Sequence, residues 1–287
     1  MSYQAIQSQA CDFPVNVLCR VLAVSESGYY AWKQRSPSRR QQENHQLIEA
    51  IRSIHQRVRQ RYGSPRMYRE LLGLGFCCSE NRVARLMRQG GIIARRTLRF
   101  RSLTKAGSRG WAAPHLLKRN FDVAQANTVW AADISYIPTG EGHLYLAVIL
   151  DLYSRRIVGW SLGERLGATL ASQALKQALA ARHYPHNLLH HSDRDGLYTS
   201  AAYQHYLAAH QIQVSMSRKG NCWDNACVES FFSSLKNELV KENKYQTKEQ
   251  ARLSIFEYIE VFYNRNRRHS TLGYVSPVDF EDRNIHP

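Results

Sequence analysis

Three carboxylates in the second half of the chain occupy positions where a cation could be bound. Asp133 interrupts the apolar run 130–134, in which a buried carboxylate is costly unless it is paired or coordinates a cation. Asp193 follows a short predicted strand, at the position where an α/β sheet presents side chains to a ligand. Glu229 lies on a predicted helix, next to Val228 of its apolar stripe. The three acids are therefore candidates for a shared metal site.

Carboxylates from two strand ends and one helix suit Mg²⁺ or Mn²⁺, hard cations that take oxygen ligands and keep positions open for phosphate and water. Two such ions about 3.5–4 Å apart activate an attacking oxygen and stabilise a leaving one. The predicted chemistry is cleavage and transesterification of phosphodiesters. Three acids among 287 residues also arise by chance, and a hydrogen-bonded buried aspartate would explain any one of them.

The predicted helix of Glu229 carries a lysine on the same face as this glutamate. At 100° per residue, Lys236 lies within about 20° of Glu229 around the helix axis. Its ammonium is a candidate contact for a phosphate, although an ordinary surface ion pair uses the same spacing.

The elements that would position these residues form an α/β domain with a mixed sheet. Runs rich in Val, Ile, Leu, Tyr and Trp predict three antiparallel strands, at 128–137, 143–152 and 155–162. Helices at 168–181 and 200–209 then alternate with strands at 188–191 and 212–216, and two long helices follow near 224–241 and 247–264.

The charge of the chain is concentrated before this domain. Residues 1–120 carry 22 basic and 6 acidic side chains, whereas the remainder carries 17 of each. A polyanion is the natural partner of such a segment, because each neutralised phosphate releases a condensed counterion. Solubility or membrane-surface binding would be other reasons for the excess, and the density of arginine favours nucleic acid.

The N-terminal part divides into small helical modules. Residues 1–40 predict a helix-turn-helix-like segment, and residues 41–94 predict a basic helical module for double-stranded DNA. Residues 36–42, which have no apolar side chain, read as a linker at the boundary between them. Residues 95–122 read as a basic linker, and 123–287 as the catalytic domain with its C-terminal helices. The candidate DNA contacts are Arg82, Arg85, Arg88, Arg95 and Arg96. A basic helical hairpin that packs on its own chain is the alternative.

Metal-binding cysteines and membrane segments are not indicated. The six cysteines form no C-x-x-C pair and are expected to be reduced thiols. Apolar stretches fall far short of the roughly 20 residues that a membrane helix needs. We therefore expect no membrane association and a cytoplasmic, nucleoid-associated location.

Six segments of the chain carry recognisable motifs: 61–66 (RYGSPR), 130–137, 191–194 (HSDR), 220–226 (GNCWDNA), 229–232 (ESFF) and 263–277. In these segments the chain resembles the OrfB-type transposases of bacterial insertion sequences, members of the retroviral-integrase superfamily. The resemblance covers nearly the whole chain, and 35 residues separate Asp193 from Glu229, as the family pattern requires.

The resemblance implies an RNase H-like core in which Asp133, Asp193 and Glu229 bind two metal ions, nick element ends and let the free 3′-hydroxyl attack new DNA. Lys236 matches the basic residue that the family has seven positions after its glutamate. The resemblance also implies an OrfA-like partner or a frameshift fusion with it, and a homo-oligomer on DNA.

One departure from the family pattern lies beside the second aspartate. The family usually has Gly, a small residue and Gln after His-Ser-Asp-Arg, where this chain has Asp195, Gly196 and Leu197. If position 195 needs a positive φ, the loop is strained. A DNA-binding relic with a decayed core, and a nuclease without strand transfer, are therefore the alternative functions. For Asp195 itself we favour a solvated turn residue over an extra metal-proximal acid.

Two further groups of residues remain open. His190 is expected to be structural, and His191 is either structural or a metal ligand or proton shuttle. The basic cluster after the last long helix either contacts DNA or is a solvated helix end, and it comprises Arg265, Arg267, Arg268 and His269.

Overall fold

A computed structural model describes residues 2–95, 112–218 and 221–285. Two compact units are present, Met1–Ile93 and Ala94–Pro287. Most of the predicted linker 95–122, including Arg96, lies outside the described residues.

The first unit begins with three short helices. They are α1 (Ser2–Gln9), α2 (Val15–Val21) and α3 (Glu26–Gln34). Ile6, Cys19 and Tyr29 are their buried core. Ser25 caps α3, because its side chain accepts a hydrogen bond from the Gly28 amide.

Three more helices complete the first unit: α4 (Arg39–Arg57), α5 (Ser64–Gly73) and α6 (Glu80–Gln89). The predicted linker at 36–42 is wrong in its second half, because Ser38 and Gln41 form a capping box that starts α4 at Arg39. On α6, Val83, Leu86 and Met87 are buried, as their spacing predicts. Ser79 caps α6, and its side chain accepts a hydrogen bond from the Arg82 amide.

The second unit contains a five-stranded sheet within the described residues, in the order β3-β2-β1-β4-β5. Its strands are β1 (Val129–Thr139), β2 (Gly142–Asp151), β3 (Ile157–Gly163), β4 (Leu189–Ser192) and β5 (Gln213–Met216). β1, β2 and β3 pair antiparallel, and β4 and β5 run parallel to β1. The predicted mixed α/β sheet is confirmed.

Helices cover both faces of the sheet. They are α7 (Ala168–Ala181), α8 (Ala201–Ala209), α9 (Ala226–Leu235), α10 (Lys248–Phe256) and α11 (Pro277–Ile285). One core joins Ala131 of β1 to residues of α9 and α10, and a second joins Trp130 and Ala132 to α7 and α8. None of the helices in the described ranges is long and apolar enough to cross a membrane.

The two long predicted helices are each interrupted. A 3-10 turn, Cys222–Asn225, precedes α9, and a π-helical turn, Lys236–Val240, follows it. In the same way α10 continues as the π-helical stretch Glu257–Tyr263. Such turns rotate the later side chains about the helix axis. The helix face that Glu229 and Lys236 share at 100° per residue therefore ends near Lys236.

Candidate active site

The register of two parallel strands brings Asp133, within β1, and Asp193, directly after β4, to the same level of the sheet. Ala131 of β1 pairs with His191 of β4. Asp133 and Asp193 each lie two residues beyond that pair, so both follow their strand to the same level. Because side chains alternate along a strand, Asp133 shares the face of Ala131, which is the face that α9 covers.

Glu229 comes to this face from the first turn of α9. The helix is fixed by Val228, Phe231 and Leu235, which are fully buried in the core beneath it. Glu229 itself is partly exposed, as are Asp133 and Asp193. The apolar stripe thus sets the orientation in which α9 presents its carboxylate.

The three carboxylates are close enough to perturb one another. Burial raises the pKa of Asp133 well above its usual range, and the charges of Asp193 and Glu229 raise it further. A 2.7 Å hydrogen bond from the Ile134 amide and the charge of Lys236 lower it in part. Burial, followed by the charge of Asp193, also raises the pKa of Glu229. Such repulsion is what a bound cation removes.

The pKa of Asp193 is also raised. Burial raises its pKa to about 6, and the charge of Asp195 contributes, although the Asp195 amide donates a 3.0 Å hydrogen bond to the Asp193 carboxylate. Asp195 accepts from the Leu197 amide at 3.1 Å and is absent from the described residues with positive φ. The interpretation of Asp195 as a turn residue is therefore supported, and the altered sequence does not strain this loop.

Lys236 stands at the end of α9 beside β1. Its Nζ lies 5.2 Å from the centroid of the Tyr136 ring. Burial lowers the pKa of Lys236, while the charge of Asp133 raises it. The ammonium therefore belongs to the same electrostatic environment as the three acids.

The acids fit a divalent cation by type and charge. All three offer oxygen, the ligand that Mg²⁺ and Mn²⁺ prefer. Within the ranges that the structure describes, they do not form a group of three or more side chains already arranged to hold a metal ion. The structure thus brings the three acids to one region between the sheet and α9, and binding of a cation would draw them closer.

The two histidines before Asp193 are held by other side chains. His191 contacts the Ser215 and Ser217 hydroxyls at 2.9 and 3.2 Å, and burial lowers its pKa to about 4. His190 contacts the Tyr203 hydroxyl at 2.9 Å, and burial lowers its pKa to about 3. The lowered pKa values favour neutral rings at physiological pH, and both ring nitrogens of His191 contact serine hydroxyls, which supports a structural role for His191.

Asp224, which the sequence did not single out, organises the loop before α9. Its fully buried carboxylate accepts hydrogen bonds from the Arg218 amide and guanidinium, at 2.9–3.0 Å, and from Arg119 Nε at 2.7 Å. The bonds from Arg218 hold the pKa of Asp224 far below its usual range. Its place within the GNCWDNA motif was the only available signal.

The candidate DNA contacts differ in their surroundings. Arg82 donates to Asn44 and Glu43, and Arg85 and Arg88 are exposed on α6. Arg95 donates to the Glu238 carbonyl at 3.1 Å.

Arg267 of the C-terminal basic cluster fits neither interpretation of that cluster. Its side chain is 3 % exposed and its guanidinium binds the Glu238 carboxylate at 2.6–3.1 Å. A buried ion pair of this kind is part of the fold, so Arg267 is neither a DNA contact nor a solvated helix end.

The raised pKa of Asp193 predicts two opposite pH dependences. Between about pH 4 and 6 Asp193 holds its proton in the folded chain more than in the unfolded chain, so its contribution to the stability of the metal-free protein falls as pH rises, whereas the lowered pKa values of His190 and His191 act in the opposite direction. Cation binding needs the carboxylate, so Mn²⁺ affinity should rise over the same window, about tenfold per pH unit for each proton displaced. Titration of Mn²⁺ followed by electron paramagnetic resonance measures this rise. In Asp193→Asn the rise should be shallower, and an affinity independent of pH would contradict the assignment.

Comparisons with known proteins agree with this architecture. Residues 41–100 match the HTH-like domain family, and residues 123–222 and 210–277 match the Integrase core domain. The chain is 42 % identical over 287 residues to the transposase InsF for insertion sequence IS3A of Escherichia coli (strain K12), covering 99 % of this chain and 100 % of InsF.

Two further similarities extend the comparison. An uncharacterised 31 kDa protein of insertion element IS600 from Shigella sonnei is 41 % identical over 266 residues, which are 93 % of this chain and 98 % of that protein. The catalytic domain of Mos1 mariner transposase aligns with 16 % identity and a TM-score of 0.39, over 47 % of this chain and 71 % of that domain.

Proposed function

Because this chain belongs to the insertion-sequence transposases that include InsF, we propose that Asp133, Asp193 and Glu229 are its catalytic acids and hold two Mg²⁺ or Mn²⁺ ions. The chain is a transposase of the DDE class, an enzyme that cleaves DNA strands and transfers them. The proposal is carried by the meeting of three partly buried carboxylates, on β1, directly after β4 and on α9, where the charge of Asp193 raises the pKa of both Asp133 and Glu229.

The bound ions would activate the attacking oxygen and stabilise the leaving oxygen of a phosphodiester. The chain's own residues position the DNA and the ions. Asp133 and Asp193 extend from a rigid sheet, so their separation is set by the backbone. Glu229 lies in the first turn of α9, where the helix dipole favours the carboxylate form. Lys236 offers a positive charge for a DNA phosphate beside Asp133.

The basic helical module 41–94 is proposed to bind the terminal repeats of the element. Arg85 and Arg88 support this because both are exposed on one helix, α6. Residues 1–40, the linker 95–122 with Arg95 and Arg96, and the catalytic domain 123–287 complete the proposed organisation. Arg82 would contribute mainly by holding α6 to Glu43 of α4.

An OrfA-like product, or a fusion with it, is the proposed protein partner, and the active form is proposed to be a homo-oligomer on DNA. Its site of action would be the cytoplasmic nucleoid. The test is to incubate the chain, with the product of an upstream reading frame, with labelled element ends and Mg²⁺. Joined products on a second DNA support a transposase mechanism. Cleaved ends without joining would indicate a nuclease, and uncut ends would indicate a relic.

Replacing Arg85 and Arg88 together by glutamine should weaken DNA binding by the full chain without unfolding it. Each lost phosphate contact lowers the slope of log affinity against log salt by about 0.9, so the double variant should lose up to about 1.8. Fluorescence anisotropy with labelled duplex DNA across a salt series measures the slope. Arg39→Gln, a change at another exposed arginine of the same unit, is the matched control. An unchanged slope in the double variant would exclude both residues as phosphate contacts.

A further inference from the structure

Asn225 precedes α9 and lies next to the strand that carries Asp133. It is 5 % exposed, and its Nδ2 donates a 3.0 Å hydrogen bond to the carbonyl oxygen of Ala132. Ala132 is one residue beyond the last β1–β4 pair, Ala131 with His191. Asn225 thus binds the backbone of β1 just beyond the last β1–β4 pair and one residue before Asp133.

Asn225 occupies the N-cap position of α9 but does not cap the helix. Asparagine at this position usually accepts a hydrogen bond from an amide of the first turn through its Oδ1. Here the side chain makes no such bond. The amide is committed to β1 instead, and α9 lacks this stabilising capping contact.

The amide oxygen of Asn225 is left without a partner. Oδ1 is buried and accepts no hydrogen bond from any residue in the described part of the chain. The assignment of nitrogen and oxygen is fixed by chemistry, because only Nδ2 can donate to the Ala132 carbonyl. Since Oδ1 shares a planar amide group with Nδ2, it lies beside the Ala132–Asp133 peptide. A buried acceptor without a donor is costly unless a ligand supplies one.

The chemistry of this oxygen selects its ligand. An amide oxygen repels the oxygens of a phosphate, which are also acceptors, but it suits a divalent cation or the hydrogens of its bound water. Glu229 follows Asn225 by four residues, in the first turn of α9, and Asp133 follows Ala132 directly. The buried oxygen therefore lies at the junction of the helix and the strand that carry two of the proposed metal ligands.

We propose that Asn225 is a further cation-binding residue, whose Oδ1 takes a divalent cation or its bound water while Nδ2 holds α9 to β1. The inference rests on the proposed function, since it assigns the cation to the site of Asp133 and Glu229. Asn225 would fix the position of the Glu229 helix against the Asp133 strand and complete the oxygen shell between them.

The test is Mn²⁺ binding by the full chain without DNA, followed by electron paramagnetic resonance. Asn225→Ser removes the oxygen from its place but keeps a residue type favoured at N-caps, so α9 should remain folded. We expect Mn²⁺ affinity to fall by about tenfold, the lower end of the effect of residues that support a metal site. Asn221→Ser, in the same loop with its Oδ1 on Arg119, is the control and should keep its affinity.

Two further variants separate the possible failures. Asp133→Asn should lose Mn²⁺ binding, and if it does not, the proposed metal site itself is wrong. If Asp133→Asn loses binding while Asn225→Ser does not, only the role of Asn225 is wrong. Asn225→Asp keeps an oxygen at this place and should bind Mn²⁺ more tightly than Asn225→Ser even if both are less stable. Equal or weaker binding by Asn225→Asp, normalised to the folded fraction from circular dichroism, would overturn the inference.

Discussion

Replacing Asp133 by asparagine is expected to reduce DNA cleavage and strand transfer by at least about a thousandfold, which corresponds to about 4 kcal/mol of transition-state stabilisation. The fold should not suffer. The carboxylate of Asp133 is destabilised by burial and by the charges of Asp193 and Glu229, so a neutral amide of the same shape removes repulsion. The free energy of unfolding of metal-free Asp133→Asn should therefore equal or exceed that of the unchanged chain at neutral pH.

Two measurements check this pair of effects. Gel assays with labelled element ends follow cleavage and joining, and thermal denaturation follows stability. Asp282→Asn, on an exposed position of α11, is the control and should keep both activities. Activity within tenfold of the unchanged chain would exclude Asp133 as a metal ligand, and a large loss of stability would show that the carboxylate is a structural group.

Replacing Arg267 by alanine should destabilise the catalytic unit by about 3–5 kcal/mol, the range found when one partner of a buried ion pair is removed. Arg267 donates three hydrogen bonds of 2.6–3.1 Å to the Glu238 carboxylate, and it also donates to the Ser234 hydroxyl at 3.0 Å. Tyr258 donates to the same carboxylate at 2.9 Å. Without Arg267, the buried charge of Glu238 keeps too few partners.

Urea unfolding monitored by circular dichroism measures this loss. Arg265→Ala changes an exposed arginine two residues earlier and should shift the free energy of unfolding by less than about 0.5 kcal/mol. If Arg267→Ala is equally mild but lowers DNA affinity, the buried pair is not structural and the basic cluster contacts DNA as a unit.

Much of the catalytic unit could be predicted from the sequence because its strands are short, apolar and bounded by turn residues. The predicted strands at 128–137, 143–152 and 188–191 each agree with the observed strand within two residues at either end. The position of Asp133 inside an apolar strand was informative for the same reason, since a carboxylate there is costly without a partner.

The contacts of buried polar side chains could not be predicted, because they join residues far apart in the sequence. Asp224 holds Arg119, a residue of the predicted linker, and Glu238 holds Arg267. Spacing along the chain carries no information about such pairs. The role of Asn225 was missed for a related reason, because an N-cap type of residue before a helix predicts capping and not a bond to a neighbouring strand.

The most direct test of the metal site is anomalous diffraction from crystals of the full chain soaked with Mn²⁺. We expect two anomalous peaks between Asp133 of β1, the end of β4 and α9, about 3.5–4 Å apart, within ligand distance of Asp133, Asp193 and Glu229. Peaks elsewhere, or none beside these acids at saturating Mn²⁺, would contradict the account.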